Sequence, residues 1–207
     1  SVTVRPKRLW QPWERGSRRG CSWMAQAIAW EGKSMDDGFL DGRQARFALR
    51  NIELDTSLDD IGRGFRFIVN GKPMFAKGAN FIPTLLDGTH VRDWREEMQL
   101  YRATGFNMVR VWGGGKYMPH AFYNACDELG ILVWQDFMFA CMSYPTFDKE
   151  FMKNVEAEAL DNVRRLRHHP CMALWCGNNE LEQLAMGKEN KWKFNQMGSV
   201  SINTQVL

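Results

Sequence analysis

The sequence has 207 residues, of which 44% are hydrophobic and 25% charged, with a formal net charge of +3. This composition suits a soluble globular chain with enough apolar material for a core and excludes wholesale disorder, and no apolar run is long enough to span a bilayer. The length fits one ordinary domain, or a small domain with part of a larger one, and is short of the about 250 residues typical of a complete (β/α)8 barrel.

The chain opens with a basic excess at Arg5, Lys7, Arg8, Arg15, Arg18 and Arg19. No nucleic-acid-binding motif accompanies it, so it reads as a solvated, irregular start rather than a nucleic-acid surface. Residues 1 to about 41 carry four tryptophans without sustained periodicity, and only Cys21 to Trp30 could form a short helix or strand. From Gln44 to Leu54, Ala45, Phe47, Leu49 and Ile52 alternate with Arg46, Arg50 and Glu53, as in a half-buried strand. After an acidic, Gly-containing link, Asn70-Gly71 stands between the apolar runs Phe65–Val69 and Pro73–Phe75, a strong hairpin signal.

Beyond the hairpin, strand and helix patterns alternate. Strands are expected at Ala76–Asn80, Asn107–Trp112, Ile131–Gln135 and Met172–Gly177. Helices are expected at Val91–Thr104 before Gly105, at Ala121–Leu129 before Gly130, and at Phe147–His168 before Pro170. Four strands, each followed by helical material, make an α/β architecture with a parallel sheet, and both a half barrel and a doubly wound sheet satisfy the pattern.

If these strands are aligned, their C-terminal ends carry Asn80, Arg110 with Trp112, Asp136, and Asn179 with Glu180. Polar groups collected at one edge of otherwise apolar strands are what an active-site rim requires. A guanidinium and amides give directional hydrogen bonds to hydroxyls, an indole offers a wall to the C–H face of a sugar, and Glu180 is the candidate catalytic acid. Each has a structural alternative. Glu180 could merely open the next helix, Arg110 could pair with Asp136 as a buried ion pair, and Trp112, Trp134 and Trp175 could be core. For Trp134 the core is the favoured reading. Gly113-Gly114-Gly115 permits tight backbone paths but lacks the spacing of a phosphate loop.

His168 and His169, at the expected end of a helix, read as dipole-favoured caps. His90 and His120 have no partner at ligand spacing, so no metal site is expected and no cofactor is called for. The five cysteines, Cys21, Cys126, Cys141, Cys171 and Cys176, are odd in number and widely spread, which reads as buried free thiols and favours a reducing, cytoplasmic setting. A lysosomal or exported location stays open, because a signal segment could precede the given start.

Four motifs taken in order carry a resemblance: Lys77-Gly78-Ala79-Asn80-Phe81-Ile82-Pro83, Asn107 through Gly115, Val133-Trp134-Gln135-Asp136 through Cys141, and Leu174-Trp175-Cys176-Gly177-Asn178-Asn179-Glu180. Over residues 42 to 182 the chain resembles the β-mannosidases of glycoside hydrolase family 2. The resemblance implies a partial (β/α)8 TIM barrel of about four βα units, with residues 65–185 its N-terminal half and residues 42–57 the last strand of an immunoglobulin-like β-sandwich module. Residues 1–41 and 186–207 match nothing in the family.

By the same resemblance Glu180 is the general acid/base, Asn179 the amide that bonds the sugar's 2-hydroxyl, and Arg110, Trp112 and Asp136 are substrate-binding residues. The implied reaction is hydrolysis of terminal β-D-mannosides with retention, which needs two carboxyl groups about 5–5.5 Å apart. The family's nucleophile lies on a later strand that these residues do not include, and Glu182 and Glu189 sit too close to Glu180 to replace it. A truncated chain, inactive alone, poorly soluble and with a carbohydrate as its partner, is therefore expected. Nothing in the sequence fixes its oligomeric state. Other family 2 glycosidases, namely β-galactosidase, β-glucuronidase and exo-glucosaminidase, and a non-catalytic carbohydrate-binding role are the alternatives.

Overall fold

A computed structural model describes residues 10–12, 25–30, 42–82 and 93–181. The basic start, Cys21, His90, the expected helix onset at Val91, and Glu182, Glu189 and the tail lie outside the described residues.

The open choice over Cys21–Trp30 falls to a strand. β1 (Ala25–Trp30) pairs antiparallel with β2 (Gly42–Phe47), from Ala25 opposite Phe47 to Trp30 opposite Gly42. The single strand expected over Gln44–Leu54 is broken, because β2 ends at Phe47 and β3 (Ile52–Asp55) starts a different sheet. The interruption has a physical cause. Leu49 gives its carbonyl to the Trp10 amide at 2.9 Å, Arg50 donates from Nε to the Pro170 carbonyl at 3.0 Å, and the Asn51 amide donates to Asn70 Oδ1 at 2.9 Å. The Leu49 carbonyl and the Asn51 amide are main-chain groups fastened elsewhere, so the ladder cannot run through them, and the Arg50 side chain ties the segment to Pro170.

The hairpin forms where Asn70-Gly71 indicates. β3, β4 (Arg66–Val69) and β5 (Lys72–Met74) make an antiparallel meander. Asn70 and Gly71 have φ of 51° and 76°, the two positive values that a type I′ turn demands. Asn70 also donates from Nδ2 to the Trp10 carbonyl at 2.7 Å, tying the turn to the chain start.

β6 (Gly78–Phe81), β7 (Met108–Val111), β8 (Leu132–Asp136) and β9 (Met172–Cys176) form a parallel sheet in chain order, and α1 (Trp94–Ala103), α2 (His120–Leu129) and α3 (Lys149–Leu166) connect them. The architecture is α/β, and each helix starts and stops for a local reason. Asp93 and Asp148 accept from the first free amides of α1 and α3, at 2.9 and 3.3 Å in each case. Gly130 takes a left-handed φ of 71° after α2, and Gly105 one of 89° after Thr104, where a side chain would be strained. Gly78 is needed for a different reason, since a Cβ there would lie 2.0 Å from the Met108 carbonyl oxygen of the neighbouring strand.

Period-two alternation divides the sheet. Val109, Val111 and Val133 are fully buried, as are Met98 of α1 and Phe122 and Tyr123 of α2. Phe81 lies 5.1 Å from Phe122 and 6.2 Å from Trp94, centroid to centroid, which knits β6, α1 and α2 together. Each such aromatic or aliphatic side chain contributes about 1.5–3 kcal/mol on burial. Gln135, also fully buried, is satisfied by the Tyr123 hydroxyl at 2.6 Å and the Asp136 carbonyl at 2.8 Å. Arg110, Trp134 and Asp136 alternate with these core positions and so stand on the other face of the sheet.

The expected capping role is corrected for His169, whereas His168 does bond back to the Arg165 main chain in the last turn of α3. α3 ends at Leu166, and His169 is buried, with Nδ1 2.6 Å from Asp127 Oδ2 of α2. The sequence shows a histidine near a helix end, whereas the fold brings it under a carboxylate 42 positions away. His120 likewise has a partner, His169, across 49 positions.

Candidate active site

Arg110 on β7 is the hub of the strand ends. Its Nε donates to Asp136 Oδ1 at 3.1 Å, and one terminal nitrogen donates both to Asp136 Oδ2 at 2.7 Å and to Asn179 Oδ1 at 2.9 Å. The other terminal nitrogen reaches Asn80 Oδ1 at 3.5 Å. The indole of Trp134, one register position across on β8, lies with its ring centroid 5.4 Å from the guanidinium carbon. Four polar strand-end residues expected from the sequence, Asn80, Arg110, Asp136 and Asn179, are thus joined through one guanidinium.

Asp136 is wholly buried. Oδ1 accepts from Arg110 and from Trp134 Nε1 at 3.0 Å, and Oδ2 from Arg110 and the Gly113 amide at 3.0 Å. Four donors fill the four places a carboxylate offers. Burial pushes the Asp136 carboxyl above its ordinary range, against the opposing pull of Arg110, the Gly113 amide and the Trp134 indole. Its geometry is that of a fixed anchor for Arg110, and the ion-pair alternative of the sequence is realised alongside the rim. Trp134 is only half-buried: it packs against the edge of the core and also gives its indole N–H to this polar cluster. Trp175 is the core tryptophan, stacked on Phe137 at 5.3 Å.

Trp112 stands half-buried just past β7, and its ring covers Gly114, where a Cβ would lie 2.0 Å from Cη2. Gly113 is closed in by the carbonyls of Phe137 and Phe139, at 2.6 and 2.8 Å from an added Cβ. The space that these two glycines open is therefore occupied by the protein itself.

Asn179 and Glu180 leave β9 on a braced turn. The Asn179 amide donates to the Phe139 carbonyl at 2.8 Å, and its carbonyl accepts from the Cys141 amide at 3.0 Å. Asn178 Oδ1 accepts from the Leu181 amide at 3.2 Å. Glu180 between them has φ of 62°, a left-handed conformation that costs a non-glycine residue on the order of 1–3 kcal/mol. It precedes helical Leu181 and is exposed, with Oε2 accepting from the Cys141 thiol at 3.6 Å. The same sulfur faces Asn179 Nδ2 at 3.3 Å. Cys141 is itself left-handed, at φ 49°, and exposed, which corrects the expectation of buried thiols for this position, while Cys126 and Cys171 are buried. Sequence reasoning missed Cys141 and Trp134. Their only sequence signal is position, at or just past the C-terminal end of β8.

A cavity of about 860 Å³ lies between the hairpin and the sheet. Phe65, Phe67, Met74, Asn80, Arg110 and Trp134 line it, whereas Trp112, Asp136, Asn179 and Glu180 do not. It meets the guanidinium from the hairpin side and is separate from the Glu180 carboxylate.

No family model matches the chain. It is 47% identical over 137 residues to a β-mannosidase B of Aspergillus niger, covering 65% of this chain and 16% of that protein. To a β-mannosidase of Bos taurus it is 40% identical over 181 residues, 86% of this chain and 20% of that one, so the match runs beyond residues 42–185 and corrects the expectation that both ends match nothing. Among solved structures, a β-D-mannosidase from Dictyoglomus thermophilum superposes with a TM-score of 0.64 at 49% identity, covering 69% of this chain and 18% of that chain. An exo-chitosanase from Amycolatopsis orientalis, at 20% identity and a TM-score of 0.62 over 81% of this chain and 19% of that one, shares the fold alone. The chain spans a fifth or less of the length of these curated relatives. Over the residues matched, the chain is a β-mannosidase-like fragment of the glycoside hydrolase family 2 kind.

Proposed function

We propose that the chain carries the acid/base side of a retaining exo-β-mannosidase site that acts on terminal β-D-mannosides. The observation that carries the reading is the convergence of Arg110, Asp136 and Asn179 at the ends of three adjacent parallel strands, beside the strained, exposed Glu180. The four-strand parallel order supports reading residues 65–185 as the first half of a (β/α)8 barrel, in which strand C-termini hold the chemistry. Residues 42–57 then close an immunoglobulin-like module.

Glu180 gives its proton to the leaving glycosidic oxygen, then takes one from the water that releases the sugar. Asn179 is oriented for a sugar hydroxyl: Arg110 fixes its oxygen, and among the described residues its Nδ2 is held by a sulfur, a weak acceptor that a hydroxyl displaces. Arg110 acts at the edge of the subsite, and Asp136 acts through Arg110. Trp112 offers the apolar wall. The nucleophilic carboxylate is not among the candidates these residues supply, so the 207-residue polypeptide alone is expected to have no turnover.

A chimera tests the reading. Residues 65–181 replace their counterpart in the Dictyoglomus thermophilum β-D-mannosidase, and nitrophenyl glycosides are compared. Hydrolysis of the β-mannoside ahead of the β-galactoside, β-glucuronide and β-glucosaminide is expected. Preference for another glycone overturns the mannoside assignment, and sugar binding without hydrolysis in a folded chimera favours a non-catalytic role.

A further inference from the structure

Away from the strand ends, the fold brings together three imidazoles. His120, Tyr123 and Asp127 share one face of α2, and the His169 ring lies along that face, 5.4 Å from both the His120 ring and the Tyr123 ring, centroid to centroid. His168 adds its ring 4.2 Å from His169 and 5.9 Å from His120. One nitrogen from each of the three rings lies within 4.8 Å of the others. We propose that His120, His168 and His169 form a binding site for a divalent transition-metal ion of the zinc type, with Asp127 supporting His169 from behind.

The argument starts from His169. Its Nδ1 is 2.6 Å from the buried carboxylate of Asp127, so that nitrogen donates and carries the proton. Nε2 is then the lone-pair nitrogen, and it points at His120 Nδ1, 3.1 Å away. An imidazole held on one side by a carboxylate, with its other lone pair directed outward, is the arrangement in which ligating histidines are oriented and made more basic. Asp127 is itself pinned, because its other oxygen accepts the Cys171 amide at 2.9 Å.

The spacing suits a small ion. Metal–nitrogen bonds of 2.0–2.1 Å in a tetrahedron separate two ligand nitrogens by about 3.3–3.4 Å. The His120–His169 pair is already within a few tenths of an ångström of that. His168 and His120 are exposed, so a side-chain rotation of His168 closes the third edge, and the fourth position opens to water. In binding, His120 carries its proton on Nε2 and gives the Nδ1 lone pair to the ion, so all three ligands are neutral imidazoles. Three nitrogen donors suit zinc, copper or nickel ions and not the oxygen-seeking magnesium or calcium.

A second grouping, Asp127, His169 and Cys171, is fully buried. Its thiol donates to the Tyr123 carbonyl, and the two Asp127 oxygens are already taken by the His169 ring and the Cys171 amide. The exposed triple is the accessible one. Arg165, which also bears on His120, has its guanidinium occupied by the Met118 carbonyl and Asn162. The site shares no residue with the Arg110 cluster, and an ion there would staple the start of α2 to the link between α3 and β9.

Calorimetric titration of the metal-free 207-residue chain with Zn²⁺ tests this directly. One equivalent is expected to bind, and Tm is expected to rise with Zn²⁺ concentration. His120→Ala and His168→Ala, both at exposed positions, are each expected to weaken binding by more than the roughly 10–100-fold that loss of a supporting group costs. Absence of stoichiometric binding overturns the proposal, as does an affinity unchanged in both variants. Co²⁺ gives an answer that needs no variant. The visible spectrum of a four-coordinate nitrogen site supports the proposal, and thiolate-to-cobalt charge transfer assigns the ion to a cysteine and overturns it.

Discussion

Replacing Arg110 by methionine leaves Asp136 without two of its four donors and without a countercharge, at a position with no solvent exposure. Removing one partner of a buried pair costs about 3–5 kcal/mol, because the remaining charge is stranded. The cost has a pH signature. Burial already holds the Asp136 carboxyl above its ordinary range, and loss of the guanidinium drives it higher. A folded pKa above the unfolded one means that the native state keeps a proton the unfolded chain has lost, so stability falls as pH rises from about 4 through the folded pKa. Each further unit of separation adds about 1.4 kcal/mol to that fall. The Arg110→Met penalty is therefore largest near neutrality and shrinks as the pH is lowered toward about 4 and Asp136 takes up its proton. Asp136→Asn strands Arg110 instead, but that side chain is 24% exposed and can turn to water, so the loss is nearer about 1–3 kcal/mol. Urea unfolding followed by tryptophan fluorescence at about pH 5 and about pH 7.5 measures both. An Arg110→Met penalty that is the same at both pH values, or smaller than that of Asp136→Asn at neutral pH, refutes the reasoning.

Other expectations rest on single contacts. Asp148→Ala removes the N-cap of α3 and should cost about 0.5–2 kcal/mol by the same unfolding assay. Gly71→Ala, at φ 76°, should destabilise the hairpin by about 1 kcal/mol, with nothing nearby to clash. Gly113→Ala drives a methyl into the Phe137 and Phe139 carbonyls and should cost about 1–3 kcal/mol while loosening the amide that holds Asp136. The 207-residue polypeptide alone leaves Phe75 80% and Phe65 56% exposed beside an open cavity, and light scattering should show self-association; a monodisperse monomer would contradict this.

The parallel sheet was legible because its signals are local. Apolar runs of five or six residues, Gly105 and Gly130 after helical patterns, and Asn70-Gly71 between strands each act within a few residues, and the structure places β6 to β9 and α1 to α3 within about three residues of the expected spans. The break between β2 and β3 was not legible, since the main-chain groups at it, the Leu49 carbonyl and the Asn51 amide, are taken by Trp10 and Asn70. The same holds for His169, which the sequence presents as a helix end and the fold turns into a buried partner of Asp127. At the strand ends the residue types and the Arg110–Asp136 pair were readable, but the links of Arg110 to Asn80 and Asn179 and of Trp134 to Asp136 were not. Trp134 stands between the buried Val133 and Gln135, and only the fold shows its indole hydrogen-bonded to Asp136. Cys141, one of five scattered cysteines, becomes significant only because a bridge between Ala140 and Asn179 sets its sulfur beside Glu180.

The most direct test of the central claim is the leaving-group dependence of Glu180→Gln in the chimeric β-mannosidase. If Glu180 is the general acid, hydrolysis of mannosides with poor leaving groups, such as mannobiose or the methyl glycoside, falls by about 10²–10⁴-fold, while release of dinitrophenol, which needs no protonation, falls far less in the glycosylation step. An equal loss across all leaving groups, or no loss at all, would contradict the account.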